Sequence, residues 1–206
     1  MKTKLLLFGF NKYLDFSVNP SSQVVKQLKR EGLPHATFEA HVLPVSYRRV
    51  RIRLDQILKQ QTFDLIIGFG LAPGINGMRL EKRALNRITS RKPDQDGVIR
   101  HGLRILPRRP EAYRTQVKLL QIQQALLKRH IPTTISHNPG GYVCNFSYFL
   151  ILNHIIQKKL PTRCLFVHLP FSSELVCCQK WNRPSLPLPV LIEGGRILMT
   201  ASLKCL

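Results

Sequence analysis

The sequence predicts an α/β protein: a single three-layer α/β/α domain, residues 1–206, with a mostly parallel central sheet. Short apolar runs alternate with amphipathic stretches along the chain, which is typical of strands that are followed by helices. The run at 64–69 is largely apolar on both faces, as expected of a strand buried in a parallel sheet. Apolar residues make up 44% of the 206-residue chain, which is enough for a substantial core.

The N-terminal segment shows a strand, a helix and a second strand. The apolar run at 4–10 predicts the first strand. Asn19 can cap the helix that follows, Pro20 suits its first turn, and Gly32 ends it. A second strand is expected at 37–45.

A second helix and a third strand follow before the periodicity weakens. Ser46 opens an amphipathic helix, and 64–69 is the third strand. Between residues 70 and 114 turn residues are common and no clear period is visible. In that region only 98–106 is predicted as a strand or hairpin at an edge.

The C-terminal half returns to regular alternation. We predict a helix at 115–129, a strand at 133–136, a helix at 144–159 and a strand at 163–169. A last helix at 190–202 follows a proline-rich segment, and two adjacent glycines weaken its helix propensity.

The chain carries a large excess of basic residues. Lysine and arginine total 32 against 11 aspartates and glutamates, a formal net charge of +21 at pH 7. Such an excess favours nonspecific contact with nucleic acids or other polyanions. No zinc-finger spacing, RNP-like aromatic pattern or basic zipper accompanies it, so a solvated basic surface is the simpler interpretation.

Several features indicate a cytoplasmic protein without a membrane span. No stretch approaches the ~18 consecutive apolar residues that a spanning helix needs. The first residues resemble a signal peptide, but Asn11, Lys12 and Asp15 follow the apolar run and no small-residue cleavage site appears. The five cysteines are an odd number and include no CxxC pair, which is typical of a reducing compartment.

Candidate chemistry gathers where the predicted strands end. Sites in parallel sheets lie beyond the carboxyl ends of the strands, and two of these ends lead to Cys144 and His168. Cys144 follows a glycine turn at the start of a helix, where free amides and the helix dipole are expected to lower the thiol pKa and to stabilise an oxyanion. His168 ends an apolar strand and can act as a general base toward that thiol.

A third group should orient the imidazole, and carboxylates are scarce. Glu81 and Asp94 are the candidates, and spacing alone does not choose between them, since Glu81 is equally compatible with a helix surface. His137 and His154 are secondary candidates as bases. The glycine-rich segment 68–74 lacks the GK[ST] ending of a phosphate-binding loop and is a weak signal for nucleotides.

Four motifs together resemble the pyroglutamyl-peptidase I family of cysteine peptidases, from about residue 5 to residue 202. They are GF-x5-F-x2-NPS at 9–21, GLAPG-x6-E-x2-A-x-N at 70–86, S-x3-G-x-YVCN at 136–145 and FVHLP at 166–170. The last two are specific, because they place YVCN and FVHLP in order at predicted strand ends.

The resemblance implies a role for each candidate. Cys144 would be the nucleophile, His168 the base and Glu81 the third member of the triad. Arg91 matches an arginine near the site in this family, and Asp94 falls in the PD turn of the family as a supporting residue. The implied reaction removes an N-terminal pyroglutamyl residue from a peptide through an acyl-enzyme, without a metal or a cofactor.

The resemblance also implies a binding pocket and an assembly. The lactam ring would lie against Phe10, Tyr13 and Leu71. Members of the family are cytosolic and often tetrameric, so we expect a homo-oligomer, either a tetramer or a dimer. The high net charge would oppose assembly at low ionic strength.

Departures from the family pattern keep two alternatives open. Leu14 and Asp15 replace glycines of the first turn, Pro139 precedes the nucleophile, and Gly141 stands where a residue such as threonine is usual. One alternative is an enzyme that acts on another blocked N-terminus or amide. The other is a non-enzymatic basic homologue that binds RNA or another polyanion.

Overall fold

The structure is a computed structural model that describes residues 2–13, 16–34 and 36–204. Its strands are β1 (Thr3–Phe10), β2 (Ala36–Leu43), β3 (Leu65–Leu71), β4 (Met78–Glu81), β5 (Arg83–Leu85), β6 (Ala112–Arg114), β7 (Thr133–Ser136), β8 (Arg163–Leu169), β9 (Phe171–Ser172) and β10 (Ser185–Leu186). Its helices are α1 (Pro20–Glu31), α2 (Tyr47–Gln60), α3 (Leu119–Leu127), α4 (Val143–Gln157), α5 (Ser173–Cys178) and α6 (Leu188–Leu203).

Six of the strands form one sheet in the order β2-β1-β3-β8-β4-β7. All neighbouring strands run parallel except β4 and β8, so β4 and β7 point opposite to the other four. This confirms the predicted fold class, an α/β domain with a mostly parallel central sheet. Two small sheets, β5–β6 and β9–β10, lie outside it.

Helices cover both faces of the central sheet. On one face α2 and α4 pack with residues such as Phe8 and Phe166, and on the other α1, α3 and α6 pack with Leu7 and Val167. Adjacent strand residues therefore enter opposite cores, which explains the nearly continuous apolar runs of the inner strands. The sheet is the middle of three layers.

The predicted helix ends in the N-terminal segment are confirmed. The side chain of Asn19 accepts a hydrogen bond from the amide of Ser21, and Gly32 ends α1 with a φ of 66°, which favours glycine. The side chain of Ser46 accepts a hydrogen bond from the amide of Arg49 at the start of α2. These local signals fix where both helices begin.

The region with poor periodicity differs from the prediction. Residues 98–106 form no strand or hairpin, and only a single bridge joins Leu103 to Ile88. The strands of this region are instead β4, β5 and β6, each of three or four residues. Runs this short carry too few alternations to give a period, so the sequence could not indicate them. In addition, α3 is shorter than the predicted helix, and α5, β9 and β10 were not predicted.

The last helix exists because its two glycines permit close packing. A Cβ at Gly194 would lie 2.4 Å from Sδ of Met78, and one at Gly195 would lie 2.8 Å from Cδ1 of Leu28. The glycines therefore let α6 approach β4 and α1, and the burial of apolar area offsets their low propensity. Within the described residues, no helix is long and apolar enough to cross a membrane.

Candidate active site

A cavity of about 420 Å³ lies at the carboxyl ends of β1, β3 and β8, next to the start of α4. Its walls include Phe10 and Leu71 from strand ends, Cys144 from α4 and His168 from β8. The parallel strands β1, β3 and β8 direct Phe10, Leu71 and His168 to one edge, as expected for this fold class. Cys144 reaches that edge differently, from α4, because β7 before it runs opposite to β8.

Cys144 is the second residue of α4 and is half-buried. The helical hydrogen-bond ladder begins with the amide of Phe146, which donates to the carbonyl of Tyr142 at 3.0 Å. The amides before it have no carbonyl one turn earlier, so they are available at the cavity. A Cβ at Gly70 would lie 2.8 Å from Sγ of Cys144. The backbone of β3 therefore lies so close to the thiol that a residue larger than glycine would not fit without a shift.

The thiol pKa differs from the prediction. Burial and the negative charge of Glu81 raise the pKa of Cys144 to about 12, although the backbone amide of Cys144 and the charge of Arg79 act in the opposite direction. The expected lowering of this pKa by the helix is therefore wrong, because desolvation outweighs the helix dipole. The resting thiol is protonated at neutral pH.

His168 and Glu81 face each other across neighbouring antiparallel strands. Nδ1 of His168 lies 2.7 Å from Oε1 of Glu81, and Nε of Arg79 donates to the same oxygen at 2.8 Å. Glu81 is fully buried and His168 is 4% exposed. The reversed direction of β4 brings this carboxylate behind the imidazole, because Arg79 pairs with His168 in the strand register.

Glu81 remains ionised in this setting. Burial alone would raise its pKa, but the hydrogen bond and charge of His168, together with Arg79, hold the pKa below the ordinary value. The alternative of Glu81 as a helix-surface residue is wrong, since it lies at the end of β4. Its backbone carbonyl also accepts a hydrogen bond from the hydroxyl of Tyr148 at 3.1 Å.

The hydrogen bond at Nδ1 fixes how the imidazole can act. An ionised carboxylate only accepts, so Nδ1 carries the proton and Nε2 keeps a free lone pair. Cys144 and His168 both line the cavity, whereas Glu81 lies behind His168 and does not. The arrangement can support nucleophilic catalysis by a thiol with an oriented general base.

Asp94 and Arg91 lie outside the cavity wall that Cys144 and His168 share. Asp94 is buried and accepts hydrogen bonds from the amides of Tyr47, Asp96 and Val98, each at 2.9 Å. It therefore holds the 94–98 turn against the start of α2. Arg91 is exposed and is not part of the cavity wall.

Aromatic side chains form one wall of the cavity. The rings of Tyr13 and Tyr142 lie 5.2 Å apart, and both hydroxyls donate to the carbonyl of Pro93, that of Tyr142 at 2.8 Å. The wall also includes Phe10 and Phe16. Tyr142 and Phe16 were not predicted as site residues, although both lie within the motifs that carry the resemblance.

Asn145 is a further residue that the sequence reasoning missed. It is fully buried, its side chain accepts from the amide of Leu85 and donates to the carbonyls of Leu85 and Arg87. These bonds join β5 to the first turn of α4. Asn145 thus fixes the helix start that presents Cys144, which gives the YVCN motif a structural reason.

Two of the departures from the family pattern, Pro139 and Gly141, lie in the wall of the cavity. Gly141 lies against Thr89, and a Cβ at Gly141 would come 1.9 Å from the Thr89 hydroxyl, so any side chain there would collide with it. The carbonyl of Gly141 also accepts from the amides of Thr89 and Ser90 at 3.0 and 3.1 Å. Leu14 and Asp15 lie outside the described residues.

The remaining candidates lie away from the thiol. His154 is near the end of α4, where burial and Lys158 lower its pKa, and His137 is exposed after β7. Gly68 and Gly70 belong to β3 and allow aromatic rings and a thiol to pack closely, so the 68–74 segment is not shaped as a phosphate loop. Among the described residues, no group of three or more His, Cys, Asp or Glu side chains could hold a metal ion.

Comparison with known proteins agrees with this geometry. The family model described as pyroglutamyl peptidase matches residues 3–204. Pyrrolidone-carboxylate peptidase of Thermococcus litoralis is 31% identical over 98% of this chain and 94% of the relative, and that of Pyrococcus furiosus is 32% identical over 84% and 83%. The crystal structure of pyrrolidone carboxyl peptidase from Fervidobacterium islandicum superposes with a TM-score of 0.94 at 34% identity, covering 98% of this chain and 99% of that one. The chain belongs to the pyroglutamyl peptidase family of cysteine peptidases.

Proposed function

We propose that this protein removes an N-terminal pyroglutamyl residue from peptides, with Cys144 as nucleophile, His168 as general base and Glu81 as the residue that orients the imidazole. The observation that carries the proposal is the 2.7 Å contact between Glu81 and His168, directly behind a cavity that His168 shares with Cys144. The names of the relatives and the family membership support the same reaction.

Acylation begins from the protonated thiol. Nε2 of His168 takes the proton of Cys144 as the sulfur attacks the carbonyl that joins pyroglutamate to the next residue. The imidazolium that forms is stabilised by the ionised carboxylate of Glu81. Because the resting thiol pKa is raised, Sγ still carries its proton when substrate binds, and His168 removes that proton for the attack.

The start of α4 can stabilise the negative charge that develops on the substrate. The oxygen of the attacked carbonyl becomes negative, and the free amides in the first turn of α4, with that of Cys144 among them, can donate to it. His168 then returns the proton to the leaving amine, so the peptide departs with a free N-terminus. A water molecule, deprotonated by His168, hydrolyses the thioester and releases pyroglutamate.

The cavity favours an uncharged N-terminal group. Its wall is largely apolar and aromatic, and Phe10, Tyr13 and Leu71 are the residues we propose to hold the lactam ring. Among the residues that the structure describes, the charged side chains in the lining are Arg79 and Lys92, and both are cationic. A free α-ammonium group would lose its hydration and lie close to the positive charges of Arg79 and Lys92, which is unfavourable. The lactam ring of pyroglutamate carries no charge and avoids this cost, and this difference is the physical basis of the proposed specificity.

Turnover of a fluorogenic pyroglutamyl amide tests the proposal. We expect hydrolysis by the wild-type protein and by Cys177→Ala, which removes an exposed thiol outside the cavity wall, and none by Cys144→Ala. An alanyl amide with a free amine should not be cleaved. Full activity in Cys144→Ala, or an inactive wild-type protein that is folded and reduced, would contradict the assignment.

We also propose that the protein acts in a reducing cytoplasm as a homo-oligomer. The cysteines of the described residues are all free thiols, which supports the location. The family resemblance supports a tetramer or a dimer. Because the formal net charge is +21, assembly should strengthen as salt screens repulsion, and sedimentation velocity at low and high ionic strength will measure this.

A further inference from the structure

The proposed peptidase reaction leaves most of the basic residues without a role. Arg79 lies in the wall of the peptidase cavity, and it is already paired with Glu81. Twelve of the eighteen arginines of the chain lie between residues 48 and 109, a segment that contains five of the eleven acidic residues. Two of those five, Glu81 and Asp94, are buried and already accept the hydrogen bonds described above, so they add no negative charge to the surface. The surface charge of this segment is therefore strongly positive.

A second cavity, of about 450 Å³, concentrates part of that charge. It lies between α2, α4 and the segment 106–109, and we call it the basic groove. Arg51 enters it from α2, Arg109 from the connecting segment and Lys158 from the end of α4. Of the residues that the structure describes, Asp55 is the one acidic residue in its lining.

The groove also has oriented polar groups. Nη1 of Arg109 donates to Oε1 of Gln157 at 2.7 Å, which fixes the guanidinium against α4. Asn153 and His154 line the same wall and add further donors. Among the described residues, no ion pair involves Arg51, Arg109 or Lys158. Their charges are thus available to a ligand.

The positive surface continues beyond the groove toward the start of α2. Arg48 is exposed one turn before Arg51, and the guanidinium of Arg100 lies 5.7 Å from the ring centroid of Tyr47. Arg49 and Arg104 belong to the same region but are paired with Asp96 and Glu111. A small anion would contact the groove alone, whereas a chain with repeating negative charges would contact the groove and its extension together.

We propose that the basic groove and its extension bind the phosphate backbone of a nucleic acid. Arginine forks bind phosphate oxygens in a bidentate manner, and each phosphate neutralised by a cation releases counterions, which supplies binding free energy. Lys158 follows Cys144 by fourteen residues along α4, about 21 Å at the rise of a helix. The groove is therefore distant from the nucleophile, whereas the extension reaches Tyr47, whose ring lies 5.8 Å from that of Tyr142 in the cavity wall.

Fluorescence anisotropy with a labelled single-stranded RNA tests the proposal over a salt titration. The groove variant is Arg51→Glu with Lys158→Glu. The matched control is Lys26→Glu with Lys118→Glu, which changes the net charge equally on exposed residues of the opposite helix layer. We expect the groove variant to lose at least about tenfold in affinity, with the slope of log K against log salt reduced by about 1.4, and the control to lose less than about threefold.

Several outcomes would overturn the proposal. They are no binding by the wild-type protein at low salt, equal losses in the two variants, and binding of polyglutamate as tight as that of RNA. Equal affinity for single-stranded RNA and DNA of the same length would support recognition of the backbone. Hydrolysis of the fluorogenic amide and thermal unfolding report whether each variant is folded, and Arg51→Gln with Lys158→Gln repeats the test if the glutamates prevent folding. Because the readout is nucleic-acid binding, its failure is distinct from failure of the peptidase assignment.

Discussion

Gly70 sets the position of the nucleophile, and Gly70→Ala is the substitution that shows it. The added Cβ would lie 2.8 Å from Sγ of Cys144 and 2.9 Å from Cζ of Phe166. Ordinary contact begins at 3.4 Å, so the sulfur has to retreat by about 0.6 Å or the strand has to shift. A displacement near 1 Å at a reacting group costs about 100-fold, so we expect kcat/KM to fall about 10- to 100-fold, or about 1.4–2.7 kcal/mol of transition-state stabilisation.

Gly68→Ala is the matched control for this effect. Its Cβ would lie 2.3 Å from Cζ of Phe8 and 2.7 Å from Cδ2 of Phe166, and the thiol is not among its three nearest atoms. Both substitutions overpack the same core and should lower the free energy of unfolding by about 1–3 kcal/mol. Only Gly70→Ala should change catalysis by the folded protein.

The assay combines urea unfolding with initial rates on the fluorogenic amide, corrected for the folded fraction. The reasoning predicts that Gly68→Ala loses stability but keeps kcat/KM within about threefold of wild type, whereas Gly70→Ala loses both. A folded Gly70→Ala protein with wild-type kcat/KM would refute the claim that β3 positions Sγ. Equal loss of kcat/KM in both variants would place the effect in the shared core.

Three further predictions follow from the site. Glu81→Gln should lower kcat at least about 100-fold with little change in KM, because a neutral amide cannot stabilise the imidazolium of His168. Since the pKa of Glu81 is depressed, the stability that its ionised carboxylate contributes should disappear as pH falls below about 4.3. Acid unfolding of the wild-type protein and of Glu81→Gln measures this loss. Because the thiol pKa is raised to about 12, alkylation of Cys144 by iodoacetamide, followed by mass spectrometry, should still accelerate above pH 9, and a plateau near pH 7 would contradict the raised value. Asp94→Asn should cost about 1–3 kcal/mol in urea unfolding, because an NH2 group replaces one of the two accepting oxygens and cannot accept from a backbone amide. Unchanged stability would show that the turn does not depend on that carboxylate.

The sequence predicted the parts of the fold that local signals determine. Asn19 and Gly32 mark the ends of α1 through capping and a positive φ, and these signals act within a few residues. The inner strands were found because a parallel sheet buries both faces and leaves continuous apolar runs. The short strands β4 to β6 were missed, since their formation depends on partners distant in sequence, such as Arg79 beside His168.

The candidate site also has parts that the sequence could predict and parts that depend on partners distant in sequence. His168 was placed correctly because the carboxyl end of β8 lies at the cavity edge, as a parallel sheet requires. Cys144 was expected there for the same reason, but β7 before it runs opposite to β8, so the thiol reaches the cavity through the position of α4. Glu81 could not be chosen over Asp94 without the family resemblance, because only the antiparallel pairing of β4 with β8 reveals which carboxylate faces the imidazole. The thiol pKa was predicted in the wrong direction because sequence reports a helix start but not the desolvation around it.

Covalent labelling by a pyroglutamyl chloromethyl ketone tests the central claim most directly. The nucleophilic sulfur would displace chloride and form a stable thioether, which peptide mapping by mass spectrometry locates. We predict modification of Cys144 alone, slower reaction in His168→Ala, and little reaction with an acetyl-alanyl chloromethyl ketone at the same concentration. Modification of another residue, or equal labelling by both ketones, would contradict a pyroglutamyl-specific nucleophile at Cys144.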